Sequence, residues 1–459
     1  MNTSKLTIAV ILLLVGTIAA VHAQGDLEPP AGSPKPGMKT LSQIEPRIDL
    51  ATVPDGFSYM HRIREPGSYY LSGNLDVTKG NGIQIAASGV TLDLNGFNIF
   101  RSSGDSPLGT AIILTSGASA NIRIKNGHIT SGVTYDSGAA GDQFTGVGFQ
   151  HGIRERDLNP ENVRVSNIHV SGCDLHGIDL GPRESNTVEH CSVRVAGGEG
   201  IRAGEVHHSI AIDCGSDAVK ASGNVSHSRG ESVGSSGDGI DASRNVSNSY
   251  GRSLGGDGID ASRNVSNSYG FSSGANGIRG SNVTNSYGWT VSTISAHSGI
   301  DATSNVSSSW GRSSEGGGIS TAGNVTNSYG ISSEDTGISA SGNVTNSNGF
   351  AAWRGIEAGG NVSNSNGEAT KGIGIRASNV FNSSGVSMGT DKDLSQGINS
   401  EYNVSNSFGA SGGIGIEANY TVSYSHGRST DSGIGLQCLT AIGCTLEGGE
   451  SIIHKYLMQ

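Results

Sequence analysis

The stretch DGIDASRNVSNSYG, Asp238 to Gly251, recurs letter for letter from Asp257 to Gly270, nineteen residues on. Looser copies surround it. Read on the Gly of its "GI" dipeptide, the register runs Gly177, Gly200, Ala218 in place of Gly, Gly239, Gly258, Gly277, Gly299, Gly318, Gly337, Gly355, Gly374, Gly397, Gly415 and Gly435, mostly in steps of 18 to 20 residues. The longer steps mostly add residues just before the next "GI", as in WTVSTISAHS and VSMGTDKDLSQ. Variable loops on a fixed period are the signature of a solenoid, in which each repeat contacts only its neighbours.

Within a repeat, Ile240 and Ala242 alternate as on a strand, and NVSNS begins a second strand at Val246. The segments are rich in Gly, Ser, Asn and β-branched residues and lack a 3.6-residue apolar stripe, so helix is excluded. Two or three short strands per turn would stack as parallel ladders about 4.8 Å apart. One turn buries too little apolar surface to offset the entropy of ordering it. It must therefore borrow hydrogen bonds and packing from near-identical neighbours, which predicts columns of like residues. Asn248, Asn267, Asn285, Asn327, Asn346 and Asn364 are expected to satisfy one another as an amide ladder. Gly251 and its equivalents are expected at turns of positive φ.

Seventy-two Gly and 34% hydrophobic residues would alone suggest a disordered chain. The periodicity overrides that reading. Residues 1–23 place Lys5 before an apolar run and end in VHA, the pattern of a signal peptide cleaved after Ala23. The mature chain is expected to be secreted or cell-surface, with no transmembrane anchor. Cleavage leaves 28 basic against 40 acidic residues, a balance that argues against nucleic acid as a partner. The five Cys are too few for a disulfide scaffold and form no zinc-type pair. Cys173 and Cys214 should share a column two turns apart, too distant to bond, while Cys438 and Cys444 are close enough in sequence to be partners.

Upstream of Gly200 the turns are longer but readable in GVTLDLNGFNI, ANIRIKNGHI and ENVRVSNIHV. Together with PPAGSPKPGMKTLSQIEPR, PGSYYLSGNL and the terminal HKYLMQ, they resemble a group of uncharacterised secreted bacterial β-helix repeat proteins. The resemblance covers nearly the whole mature chain. It implies an all-β, single-stranded, right-handed parallel β-helix of the pectate-lyase-like class, and it carries no established activity. The expected organisation is a Pro-rich linker and N-terminal cap over 24–66, irregular long coils over 67–200, short coils of ~19 residues over 201–450, and a C-terminal cap over 451–459.

Many proteins of this architecture degrade acidic polysaccharides, a chemistry that leaves recognisable sequence marks. The polygalacturonase motifs fail: RIK occurs at Arg123 to Lys125, but NTD and DD are absent. The residue after each "GI" should point outward, which makes Asp241 and Asp260 adjacent rungs. With Asp238 and Asp257 they read either as a Ca²⁺ or sugar site or as a solvated charge ladder closed by Arg279, the simpler reading. The irregular region gathers His151, Arg154, Asp174, His176 and Asp179, candidates for acid/base catalysis, or else cover for a longer loop. Tyr250, Tyr269, Tyr287, Trp310 and Tyr329 form a consecutive aromatic column. Exposed, it would bind sugar rings; strict alternation from Val246 through Asn248 would instead turn it inward. The recurrent NVS and NVT sequons read as turn Asn residues before a strand.

The preferred function is extracellular carbohydrate binding or surface architecture, with polysaccharide the expected ligand. The alternative is a polysaccharide lyase or glycoside hydrolase with its site between His151 and His190. Nothing in the sequence sets the oligomeric state.

Overall fold

Each regular turn consists of three short strands. In the first verbatim copy they are Ile240–Ala242, Val246–Ser247 and Tyr250–Ser253. Each pairs in parallel with its equivalent one turn on: Ile240 with Ile259, Val246 with Val265 and Tyr250 with Tyr269. The computed structural model describes residues 47–54, 56–101, 109–138, 143–156, 159–391, 394–430, 433–448 and 450–453. From Ile48 on, these residues form one compact unit, an all-β parallel solenoid with coils of roughly 19 residues. The only helical element described is the 3₁₀ turn Leu50–Thr52. The expected signal peptide, the Pro-rich linker and residues 454–459 of the expected C-terminal cap lie outside the described residues.

The "GI" strands form one ladder of nineteen strands among the described residues. The "NV" and "YG" strands form two further columns. These merge into one sheet because the longer strands Ala120–Thr130 and Glu161–Cys173 run through both. The ladders start at Ile48–Asp49 and Tyr59–Ile63, within the stretch assigned to the cap, and reach Glu450–Ile453.

One residue per turn sets which side chains face in. Asn248, Asn267, Asn285, Asn327, Asn346, Asn364, Asn382 and Asn406 all have φ between 46° and 50°. A left-handed residue costs least as Asn or Gly, which explains why Asn recurs here. It also breaks the alternation. Val246 is buried, Ser247 and Asn248 face out, Ser249 is buried, Tyr250 faces out and Gly251 is buried. The expected positive φ thus belongs to Asn248, whereas Gly251 sits inside a strand. A Cβ on Gly251 would lie 2.0 Å from the Gly258 carbonyl oxygen of the opposite sheet, and one on Gly239 would lie 2.3 Å from the Arg252 nitrogen. Glycine is needed because the "GI" and "YG" strands nearly touch across the core.

Two polar ladders run along the solenoid. The buried hydroxyl of Ser249 donates to the Ser247 carbonyl (2.7 Å) and accepts the amide of Ser228 one turn earlier (3.2 Å); Ser268 repeats this on Ser249. Cys191 and Cys444 occupy the same column near its ends, each thiol directed to the carbonyl two residues back. The amide ladder lies in the sequon column rather than the Asn248 column. Asn245 Nδ2 donates to Asn224 Oδ1 (2.9 Å) and Asn264 Nδ2 to Asn245 Oδ1 (2.9 Å), a pattern continuing through Asn403 except at Asn361, which reaches Asn343 Oδ1 through its backbone amide. Cys173 and Cys214 share a column through Ala196, two turns apart as expected. All five cysteines are free, Cys438 and Cys444 included.

Candidate functional site

The thin cross-section gives the regular solenoid two opposed outer faces, one on the "GI" strands and one on the "YG" strands. Both carry candidate residues.

On the "GI" face, the residues on either side of each Gly-Ile point outward, forming two columns. One runs His151, His176, Glu199, Asp217, Asp238, Asp257 and Asn276; the other runs Arg154, Asp179, Arg202, Lys220, Asp241, Asp260, Arg279 and Asp301. The histidine group and the aspartate group are therefore parts of a single strip. Asp174 lies in the turn before this strand, and no hydrogen bond or ion pair joins its carboxylate to the strip among the described residues.

His151, at the head of the strip, is held neutral. A guanidinium only donates, so the contact of 2.9 Å between Arg154 Nη1 and His151 Nε2 leaves the ring proton on Nδ1. That Nδ1 is buried without a partner. His151 is 2% exposed, and burial, then Arg154 and His176, push its pKa down to about 3. His176 stacks on it with ring centroids 5.1 Å apart. The amide of Glu199 donates to His176 Nδ1 at 3.0 Å, so that nitrogen cannot also hold a proton for the Glu199 carboxylate 3.9 Å away. Burial raises the pKa of Glu199, opposed by Arg202 and Lys220.

Farther along, each Asp of the first column accepts the backbone amide of its successor: Asp217 from Asp238 (2.8 Å), Asp238 from Asp257 (2.7 Å) and Asp257 from Asn276 (2.8 Å). Lys220 bridges Asp217 and Asp241 at 2.6 and 3.2 Å. Arg279 pairs with Asp260 and lies 3.3 Å from Asp257. Asp238 has no basic partner among the described residues. Burial, then Asp257 and Asp217, raise its pKa to about 8. Carboxylate oxygens of Asp238, Asp241 and Asp260 lie within 4.8 Å of one another and are the residues that could hold a cation. Lys220 and Arg279 already stand where a cation would neutralise Asp241 and Asp260. The charge ladder expected from sequence extends through Lys220 as well as Arg279.

On the "YG" face, the left-handed residue at Asn248 reverses the inward orientation expected for the aromatic column. Trp310 is 43% and Tyr329 38% exposed, and Tyr250, Tyr269 and Tyr287 are half-buried. Tyr250, Tyr269 and Tyr287 stack with centroids 5.1 to 5.2 Å apart and nearly parallel planes, covering one another's faces. Trp310 breaks the stack. Its plane stands 74° from Tyr287 and 86° from Tyr329, so its face is left uncovered by them. Two residues on, across the inward Gly, a second column carries Phe271, Trp289 and Phe350 on the same face. Sequence reasoning missed this column, although the Y-G-x spacing carries its signal. Arg229 lies over Tyr250 and Arg312 over Trp289, each with its guanidinium carbon 5.3 Å from the ring centroid.

The Asn248, Ser249 and Tyr250 columns line a shallow groove that runs from Ile210 past Trp310 to Asn348. A second groove continues from Asn348 to Thr445.

No protein-family model matches this chain, and no curated protein matches it in sequence. Among solved structures, it is similar to a DFA-IIIase from Arthrobacter chlorophenolicus in complex with GF2, at 13% identity and a TM-score of 0.27 over 68% of this chain and 84% of that one. It is also similar to the A-module of a mannuronan C-5 epimerase from Azotobacter vinelandii, at 12% identity and a TM-score of 0.24 over 85% and 88%. A third is the catalytic unit of an alpha-1,3-glucanase from Streptomyces thermodiastaticus, at 12% identity and a TM-score of 0.20 over 89% and 66%.

Proposed function

We propose that this is an exported polysaccharide-binding protein whose ligand lies along the "YG" face. The observation that carries the reading is the outward row Tyr250, Tyr269, Tyr287, Trp310 and Tyr329 beside a groove. Aromatic rings with an apolar face and a polar rim suit sugars, which present C–H on one face and hydroxyls at the edge. An uncovered Trp310 is the natural centre of such a contact.

A second reading is favoured by Asp238. A carboxyl with its pKa raised to about 8 beside Asp241 and Asp260 supplies a proton donor near carboxylates, the minimum for glycoside hydrolysis. On this reading the acid/base chemistry belongs to the aspartates rather than to His151, whose protonation burial and then Arg154 oppose.

Both readings are tested by incubating the mature chain with soluble polysaccharides, measuring retention by affinity electrophoresis and scoring new reducing ends and unsaturated products. Retardation without product, lost in Trp310→Ala, is expected. Product that disappears in Asp238→Asn would instead establish the second reading.

A further inference from the structure

The groove beside the aromatic row differs from the rest of the surface in two respects that together define a ligand. First, its amides are unused by the protein. The sequon column Asn245, Asn264 and Asn282 is bonded in a continuous ladder. By contrast, the side chains of Asn248, Asn267, Asn285 and Asn327 are exposed, and none makes a hydrogen bond among the described residues. Their left-handed backbone holds them at one edge of the groove, with the aromatic row at the other and the Ser249 column as its floor. The turns of Tyr250, Tyr269, Tyr287 and Tyr329 each present one amide with a free donor and acceptor and one ring, and the Trp310 turn presents Ser308 in place of the amide.

Second, the groove is uncharged in an acidic protein. From Asn248 to Asn348 its lining consists of Asn, Ser, Tyr and Trp, without Asp, Glu, Lys, Arg or His. At the upstream end Arg229 is paired with Glu231, and in the column beside the aromatic row Arg252 lies over Phe271 and Arg312 over Trp289. The groove's own lining offers a polyanion no fixed positive charge in this stretch, the guanidiniums of Arg252 and Arg312 lying one column away on aromatic rings, and the chain's net charge of −11 opposes its approach.

We infer that the groove binds a neutral, linear polysaccharide lengthwise, with the hydroxyls of successive sugars taking the free amides of the Asn248 column and their rings resting on the aromatic row. The inference rests on the polysaccharide-binding reading and adds the chemical class and orientation of the ligand. Repetition of one subsite at the rung spacing of about 4.8 Å makes binding a sum over turns, so affinity grows with ligand length.

The test is calorimetric titration with graded cello- and manno-oligosaccharides, linear glucan and mannan, polygalacturonate and a sulfated glycan, each at low and high salt. Expected are binding of a neutral series with affinity rising with chain length, little salt dependence, and weak or no binding of the polyanions. The double variant Asn267→Gly, Asn285→Gly keeps the left-handed backbone without strain. It should retain the wild-type melting temperature and lose about tenfold or more in affinity. Unchanged affinity in that folded variant, or affinity independent of length, would overturn the inference. Salt-sensitive preference for a polyanion would also overturn it while leaving the glycan-binding reading intact. Failure to bind any glycan would sink both.

Discussion

Asn248 stands two residues before Tyr250, and its φ of 50° turns the tyrosine ring out of the core onto the solvent face. The same corner recurs before Tyr269, Tyr287 and Trp310, with Ser308 taking the left-handed place before Trp310. A rule that forbids one backbone geometry to most residues thereby builds an exposed aromatic row. If that row binds glycan, Trp310→Ala should reduce affinity by about tenfold or more without lowering the melting temperature, since the indole is half in solvent. Comparing titrations with thermal scans of the same variant checks it.

Gly270→Ala should be among the most damaging single-atom additions. Its Cβ would lie 2.1 Å from the Gly277 carbonyl oxygen, so the facing strands must part, at a cost of about 1–3 kcal/mol or more. Because a solenoid turn depends on its neighbours, hydrogen exchange should accelerate first around Gly251, Gly270 and Gly288. Uniform exchange with an unchanged denaturation midpoint would contradict the packing described.

Ser268→Ala removes the acceptor for the buried Ser249 amide (3.2 Å) and should cost about 1–3 kcal/mol. Ser268→Cys should cost less. Cys191 and Cys444 already fill the same column with thiols turned to the same carbonyl position. Chemical denaturation of the two variants side by side distinguishes a specific ladder from loss of volume alone.

Asp238 titrates with a raised pKa, about 8, so the folded state binds its proton more tightly than the unfolded chain does. The stability this contributes is fully present below the unfolded Asp value of about 4 and is lost as pH rises through about 8. Asp238→Asn preserves the acceptor for the Asp257 amide, as Asn276 does for Ser298 in the same column. The variant should therefore melt higher than wild type above neutral pH, with the gap closing on acidification. Melting curves across that range check both sign and window.

The period, the strand content and the outward aspartates were legible because repetition exposes them. The place of the Asn ladder and the facing of Tyr250 were not. Alternation carries a side from one residue to the next only while the backbone stays extended, and one left-handed residue at Asn248 shifts it. Asn at that place was itself the available signal. At Gly251 the core requires the lack of a Cβ rather than the backbone freedom of a turn glycine. The strip from His151 to Asp301 looks like two separate sites when judged by the residue after each "GI" alone. The residue before the same dipeptide shares its face, and joins Glu199 and Asp217 to both groups.

The two outer faces make opposed claims on a ligand, and hydroxyl-radical footprinting of the protein with and without bound polysaccharide decides between them. Protection of Tyr250, Tyr269, Tyr287, Trp310 and Tyr329, with the His151 to Asp301 strip unchanged, is the predicted result. Protection of His151, His176 and their neighbours, with Trp310 left reactive, would contradict it and move the binding site to the charged face.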